Sequence, residues 1–351
     1  MSAGTSDFTR RRTDLLTALV RGEDLDAAST QWVMDQVLAG DLTPVQLAGF
    51  AVALRTKGET ADEIRGMSDG MLAHSTPITV PGRTVDIVGT GGDRANTVNV
   101  STMAGLVAAG AGARVVKHGN RAASSACGAA DVIEALGVAL DTAPERQAGV
   151  LEAAGICFLF APQYHPSLRH AAVARKELGI ATTFNLLGPL SNPARPQAQA
   201  LGIADLRVAE MVAGVMASRG AEGLVFHGGD GLDELTTTTS STVFVVTGGA
   251  IRRTELDPRD LGIARATPDD LVGGDPAHNA QVVRDLLAGA LGPVRDIVVL
   301  NAAAALLAYA GPDLEADLVG QLTAHVDAAG RALDSGAAAT VLQHWVAATA
   351  G

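Results

Sequence analysis

Two hydrophobic rhythms divide the chain. Through residue 75 the apolar side chains recur at helical spacing: Leu47, Phe50, Ala51 and Leu54 share one face, and Ile64, Met67 and Met71 repeat the pattern. Thr43 followed by Pro44 is an N-cap and first-turn pair, and Thr60 with Glu63 has capping-box spacing, so a helix starts at each point. Methionines at this spacing read as core packing rather than as a ligand box. The stretch STPITVPG, 75–82, carries two prolines and reads as a crossing between domains.

From Val85 the rhythm changes to short apolar runs at 85–88, 114–116, 156–160, 200–203, 223–226 and 243–246. Helical patterns at 102–111, 131–136, 144–154 and 206–219 alternate with them. Such alternation predicts an α/β fold with a mostly parallel central sheet flanked by helices. One segment breaks it. Residues 166–196 open with a helix over 167–178 and end in TTFNLLGPLSNPARP, which reads as a return into the helical part. The expected organisation is a small all-helical domain, 1–78 with 166–196, and a larger α/β domain, 79–165 with 197–351. Strand-like and helical signals mix in the last third, where 301–309 and 316–333 read as helices. No internal repeat is visible.

Composition narrows the picture. Aromatic residues make up only 3% of a chain that is 47% hydrophobic, so its core must be built largely from Ala, Val, Leu and Ile. The formal charge of −12 argues against a nucleic-acid partner, which needs a basic surface; the run Arg10–Arg12 is too short to supply one. An anionic ligand must therefore be held by local devices: loop amides, a few cations or a metal. Cys127 and Cys157 form no CxxC pair and read as reduced thiols. The N-terminus lacks an apolar leader and no uncharged run reads as a membrane span, so the expectation is a cytoplasmic protein with no membrane partner.

Ligands of parallel sheets bind beyond the carboxyl ends of the strands, and two polar, glycine-bearing loops fall there. The first, GTGGD at 89–93, runs on to NVST at 99–102, where hydroxyls meet the start of a helix. It lacks the P-loop and GxGxxG patterns, and alone it could be a tight turn. The second, KHGNR at 117–121, combines Lys117 as a point charge, Arg121 as a bidentate group and Asn120 as donor and acceptor. Two such loops beside helix starts suit a ligand with more than one phosphate. His118 is as well explained by a satisfied structural histidine as by a ligand-orienting one. Further on, GLDELTTTT at 231–239 places Asp233 beside Glu234, a plausible Mg²⁺ pair to which Ser101 could add an oxygen; the alternative is an ordinary acidic loop. His227 is a poorer Mg²⁺ ligand. In FAPQYHPSLRHAAVARKELG, 160–179, most of the basic residues should be solvated, and one arginine facing the substrate could pair with a carboxylate.

Taken in order, GTGGD, NVST, KHGNR, FAPQYHP, TTFNLLGPLSNP and GLDELTTTT resemble anthranilate phosphoribosyltransferases, over nearly the whole chain. The resemblance implies transfer of a phosphoribosyl group from phosphoribosyl pyrophosphate (PRPP) to the amine of anthranilate. It implies a PRPP site at Gly89, Gly92, Asp93, Thr97, Asn99, Val100, Ser101, Thr102, Lys117, His118, Gly119, Asn120, Arg121, Ala122, Ala123, Ser124, Ser125 and Ala129. It implies anthranilate contacts at Gly89, Asn120, Arg175 and His165, and two Mg²⁺ ions held by Ser101, Asp233 and Glu234. A homodimer through the helical domain is implied as well. Leu168, Ala123 and Ala126 are positions where relatives can carry bulkier side chains. Two rivals share the fold. A pyrimidine-nucleoside phosphorylase would carry Lys and His ahead of its glycine loop, where this chain has Ile87 and Val88. A non-catalytic nucleic-acid-binding relative is opposed by the net charge.

Overall fold

The structure, a computed structural model, describes residues 3–122 and 126–350. In chain order the elements are α1 (Ala3–Val20), α2 (Ala27–Ala39), α3 (Pro44–Lys57), α4 (Ala61–Ala73), β1 (Val85–Gly89), α5 (Val100–Gly110), β2 (Val115–Gly119), α6 (Ala129–Ala135), α7 (Gln147–Ala154), β3 (Ile156–Phe160), α8 (Ala161–Tyr164) and α9 (Arg169–Leu178). They continue as β4 (Ala198–Gly202), α10 (Leu206–Ser218), β5 (Glu222–Gly228), β6 (Ser241–Thr247), β7 (Ala250–Leu256), α11 (Pro276–Leu287), α12 (Pro293–Ala310), α13 (Leu318–Asp334) and α14 (Ala337–Thr349). Packing groups the chain into two units, Met1–Thr76 with Tyr164–Ser191 and Pro77–Gln163 with Asn192–Gly351.

The first unit is helical. Thr43 and Thr60 each accept a hydrogen bond from the third residue of the helix they cap, and Gln46 and Glu63 return it to the cap backbone. Glu63 does more than cap. It is fully buried, its carboxylate accepts from the Leu25 N–H at 2.9 Å, and Lys57 donates to it at 3.0 Å. Glycines set the approach of α2 to α4. A Cβ at Gly66 would stand 2.1 Å from the Ala27 carbonyl oxygen, and one at Gly70 2.7 Å from Met34 Cβ.

The second unit is a seven-stranded sheet in the order β3-β2-β1-β4-β5-β6-β7. Strands β3 through β5 in that order run parallel; β6 and β7 are antiparallel additions. β7 is absent from the sequence expectation because an edge strand need not alternate cleanly. Its sequence AIRRTEL is mostly exposed, and Ile251 itself faces solvent. Helices α11 and α14 were likewise not anticipated, and the pattern at 144–154 resolves into a 3₁₀ turn, Pro144–Arg146, followed by α7. Helix α12 is apolar and long enough to cross a membrane by length and composition. It is instead largely buried in this unit, packed on α5, α13, β1, β4 and β5, and its small side chains let α5 come close.

Substituting Gly66→Ala forces a methyl group into a backbone carbonyl. It should destabilise the protein by about 1–3 kcal/mol, read as a lower urea midpoint at unchanged slope. An unchanged midpoint would show that α2 and α4 can separate freely.

Candidate active site

Strands β1 and β4 end side by side in glycine, Gly89 paired with Gly202. A Cβ on Gly89 would stand 2.0 Å from the Asp233 carboxylate, and one on Gly202 1.6 Å from the Asp233 carbonyl oxygen. Two bare strand ends thus allow the GLDEL loop to lie directly on the carboxyl edge of the sheet. After Gly89 the chain turns through Gly91 and Gly92, both in the left-handed region at φ 68° and 87°. The Gly91 N–H donates to the Asp233 carboxylate at 2.7 Å. Arg94 and Asn96 are left-handed too, at φ 63° and 51°, two of the three non-glycine left-handed residues among those described. The Asp93 side chain accepts from the Ala95 N–H at 3.2 Å.

Helix α5 starts immediately afterwards. The Ser101 N–H in its first turn favours the charged form of the Glu234 carboxylate, as the start of a helix does for negative charge. The Ser101 hydroxyl accepts from Lys117 Nζ at 3.1 Å, and Lys117 also donates to the Ile87 carbonyl. At 1% exposure Lys117 is among the largest fully buried side chains of the protein. Thr102 is buried next to Ser101, and its hydroxyl has no hydrogen-bond partner among the described residues.

The electrostatics of this cluster are unbalanced. Burial raises the Asp233 carboxyl to about 7, with the Asp93 carboxylate adding to the effect. Burial and then the charge of Asp233 raise Glu234 well above the usual carboxylate range. Burial pushes Lys117 down, while Asp86, Glu234 and Asp233 push it back up. Asp86 is itself fully buried within β1 and raised to about 6 by desolvation, against the opposing pull of Lys117 and of Asn192, which donates to it at 2.9 Å. Two loop carboxylates, Asp233 and Glu234, and the strand carboxylate Asp86 thus surround one buried ammonium. All the donors are hard oxygens, which suits a dication that completes its shell with water and phosphate oxygens, as Mg²⁺ does. Among the described residues no group of three or more His, Cys, Asp and Glu side chains forms a self-sufficient metal site.

Other sequence-predicted residues are spent differently. Thr97 bridges to Val272, and the Asn99 side chain donates to the Cys127 carbonyl at 3.1 Å and accepts from Asn279 at 2.8 Å. Val100 opens α5 with its N–H on the Val98 carbonyl. His118 follows Lys117 on β2, so strand alternation sends its buried ring to the opposite face of the sheet. Gly119 ends β2, where a Cβ would press on Phe158 at 2.9 Å. Asn120 is exposed, its Oδ1 accepting from the Arg121 N–H at 2.7 Å. Arg121 does not reach for a phosphate here. Its guanidinium is bound to Asp131 at 2.9 Å and bidentately to Glu134 at 2.8 and 3.1 Å.

The same Asp131 accepts from the N–H groups of Ala122 and Gly128, both at 2.9 Å, and so closes the neck of the second loop. Ala129 is the first residue of α6 beyond that neck. Ala123, Ser124 and Ser125 lie outside the described residues. Sequence reading missed Asp131 and Gly202. The spacing of Gly128 and Asp131 is the only local signal for the former, and nothing local marks the latter.

Two candidates belong to the helical unit. His165 is buried and its Nε2 lies 2.8 Å from the Ser191 carbonyl; burial lowers its pKa, so the ring is neutral and already engaged. Arg175 on α9 is half-buried, with its guanidinium 5.7 Å from the Phe184 ring. No carboxylate among the described residues pairs with it, and burial lowers its pKa.

Comparison with known proteins covers both the helical and the α/β parts of the chain. Residues 13–75 fit the helical bundle domain, and residues 81–339 the α/β domain, of the glycosyl transferase family. The chain is 59% identical to the anthranilate phosphoribosyltransferase of Nocardioides sp. over 337 residues, 96% of this chain and 98% of the relative. The crystal structure of anthranilate phosphoribosyltransferase from Thermus thermophilus superposes with a TM-score of 0.89 at 41% identity, covering 96% of this chain and 99% of that one. The Saccharomyces cerevisiae enzyme in complex with PRPP and Mg gives a TM-score of 0.87 at 26% identity, covering 99% and 98%. The chain belongs to the glycosyl transferase family and, within it, to the anthranilate phosphoribosyltransferases.

Proposed function

We infer that this chain transfers the 5-phosphoribosyl group of PRPP to the amine of anthranilate, giving N-(5′-phosphoribosyl)anthranilate and pyrophosphate. This is the second step from chorismate towards tryptophan. Besides the family, one observation carries the reading: the buried Lys117–Ser101 pair lies beside the Asp233–Glu234 carboxylates at the glycine ends of β1 and β4.

Ser101, Asp233 and Glu234 would hold Mg²⁺, with room in the reading for two ions. Bound there, the metal supplies positive charge to the departing pyrophosphate. The chain's own groups act on the same charge. Lys117, held by the Ile87 carbonyl and Ser101, keeps a proton for a further hydrogen bond to a phosphate oxygen. The amides of the Gly89–Asp93 turn and the first turn of α5 add fixed dipoles. Arg175 would pair with the anthranilate carboxylate, and Asn120 would orient the amine. His165, already hydrogen-bonded, would shape the site rather than transfer a proton. An aryl amine is neutral near pH 7, so positioning and electrostatics carry the reaction without a strong general base. Thr97 and Asn99 would act by holding the first loop to the 272–279 segment. A phosphate on the second loop would have to draw Arg121 away from Glu134.

The homodimer is proposed through the helical unit. Val20 and Val45 are 74% and 81% exposed there, and α1 to α3 enclose an apolar groove of about 400 Å³ lined by Leu15, Leu16, Trp32 and Phe50.

Substituting Lys117→Met should lower kcat/KM for PRPP by about 10–100-fold, the loss expected for a hydrogen bond to a charged group. Arg175→Ala should raise the anthranilate KM by a similar factor while the PRPP KM stays put. Equal effects of both variants on both substrates would contradict the division of roles. A pH series supplies a second check. Because a proton on Asp233 competes with the metal, Mg²⁺ affinity measured calorimetrically with PRPP present should strengthen from pH 6 to pH 8, with proton release, and Asp233→Asn should flatten the trend. In the metal-free protein the sign reverses. A carboxyl raised to about 7 binds its proton more tightly when folded, so its contribution to stability falls as the pH rises from its unfolded value through 7. For the dimer, Val45→Glu should shift sedimentation towards monomer; an unaltered profile removes this face from the interface.

A further inference from the structure

Asn301 lies on α12, fully buried, amid a helix face of Ile, Val, Leu and Ala. Packing alone gives no reason for an amide there, because an apolar side chain of similar size fills the same space without polar atoms to satisfy. Both N–H groups of that amide and one lone pair of its oxygen are used. Nδ2 donates to the Leu235 carbonyl at 2.8 Å and to the Ile297 carbonyl, one turn back on its own helix, at 2.9 Å. Oδ1 accepts from the Leu235 N–H at 3.0 Å. These partners also fix which end of the amide is oxygen. One side chain therefore pairs with both backbone groups of Leu235, as a neighbouring strand would.

Leu235 directly follows Asp233 and Glu234. The loop that carries them is held at other points as well. The Asp230 carboxylate accepts from the Thr236 hydroxyl at 2.7 Å and from the Leu232 N–H at 3.3 Å, which draws the two arms of the loop together. Gly89 and Gly202 give it a floor without side chains. Asn301 is the anchor from the core, and it grips the residue directly after Glu234.

We propose that Asn301 is a positioning residue for the reaction, gripping Leu235 so that the Asp233 and Glu234 carboxylates are pre-placed at the start of α5 for the metal-bound pyrophosphate. The inference rests on the reading of those carboxylates as metal-holding. It separates Asn301 from a merely stabilising residue by what its loss changes first. Truncation frees both backbone groups of Leu235, the loop gains freedom, and the two carboxylates no longer arrive as a fixed pair. Metal affinity should suffer more than turnover at saturating metal.

The experiment measures Mn²⁺ binding by electron paramagnetic resonance with PRPP present. It compares wild type, Asn301→Ala and a control carrying Asp233→Asn with Glu234→Gln, each first shown to be folded by circular dichroism and thermal melting. Asn301→Ala should weaken Mn²⁺ binding by about tenfold or more, the usual cost of removing a group behind a metal ligand, and an affinity within about twofold of wild type overturns the proposal. Raised Mg²⁺ should restore kcat in the variant, with the anthranilate KM unchanged; a kcat deficit equal at every Mg²⁺ concentration also overturns it. Should Asn301→Ala not fold, Asn301→Ser, which keeps a donor and an acceptor at the position, carries the same comparison with a smaller expected loss. If the carboxylate control binds Mn²⁺ as wild type does, the metal reading itself is wrong. If the control loses binding and the Asn301 variants do not, only the role of Asn301 is wrong.

Discussion

Burial of opposed charges at the ends of two strands governs the α/β unit. Lys117 is removed from water almost completely, a state an ammonium tolerates only with fixed partners. Those partners come from three places far apart in sequence: the Ile87 carbonyl on β1, the Ser101 hydroxyl on α5, and the field of Asp86, Asp233 and Glu234. Each partner is useful only where the sheet and the first turn of α5 place it. The carboxyl groups on the 231–235 loop outnumber the cation, and burial makes them hold their protons, which a bound dication would displace.

The space for this cluster is made by absences. Glycine at the ends of β1 and β4 leaves the strand edge bare, and the acidic loop occupies the room. The same logic runs through the rest of the molecule. Gly66 and Gly70 bring α2 against α4, and the alanines of α12 bring it against α5. A chain so poor in aromatic residues gains its packing from close backbone approach, and its few buried polar side chains can then act as specific ties. Glu63, Asn192 and Asn301 each tie down backbone groups in the interior.

The helical start, the parallel strands and the glycine loops were legible because each leaves a local trace: a capping residue, a run of β-branched residues, a Gly-Gly turn. β7 was not, since an edge strand exposed along most of its length carries charges where a central strand carries valine. Among the site candidates, Lys117, Ser101, Asp233 and Glu234 stood out by residue type beside a strand end or a helix start, and the fold brings these four together. Arg121 also stood out, but sequence could not foresee Glu134, one turn beyond the Gly128–Asp131 cap, competing for its guanidinium. His118 and Lys117 read as one motif, yet the pleat of a strand sends neighbours to opposite faces.

By itself the sequence determined the kinds of chemistry available: hydroxyls and amides beside helix starts, paired carboxylates, one well-placed lysine, too little basic charge for a nucleic-acid surface. Order and spacing of those motifs also sufficed to point to the family. Only the tertiary structure decided which of these groups meet, which are already paired, and which unremarked residues hold them. Gly202 meets Asp233, Asp131 meets Ala122, and Asn301 meets Leu235, each across a stretch of chain that carries no sign of the contact. The physical reason is that hydrogen bonding and close approach depend on distance in space, and a folded sheet brings that distance down without leaving a mark in the neighbouring sequence.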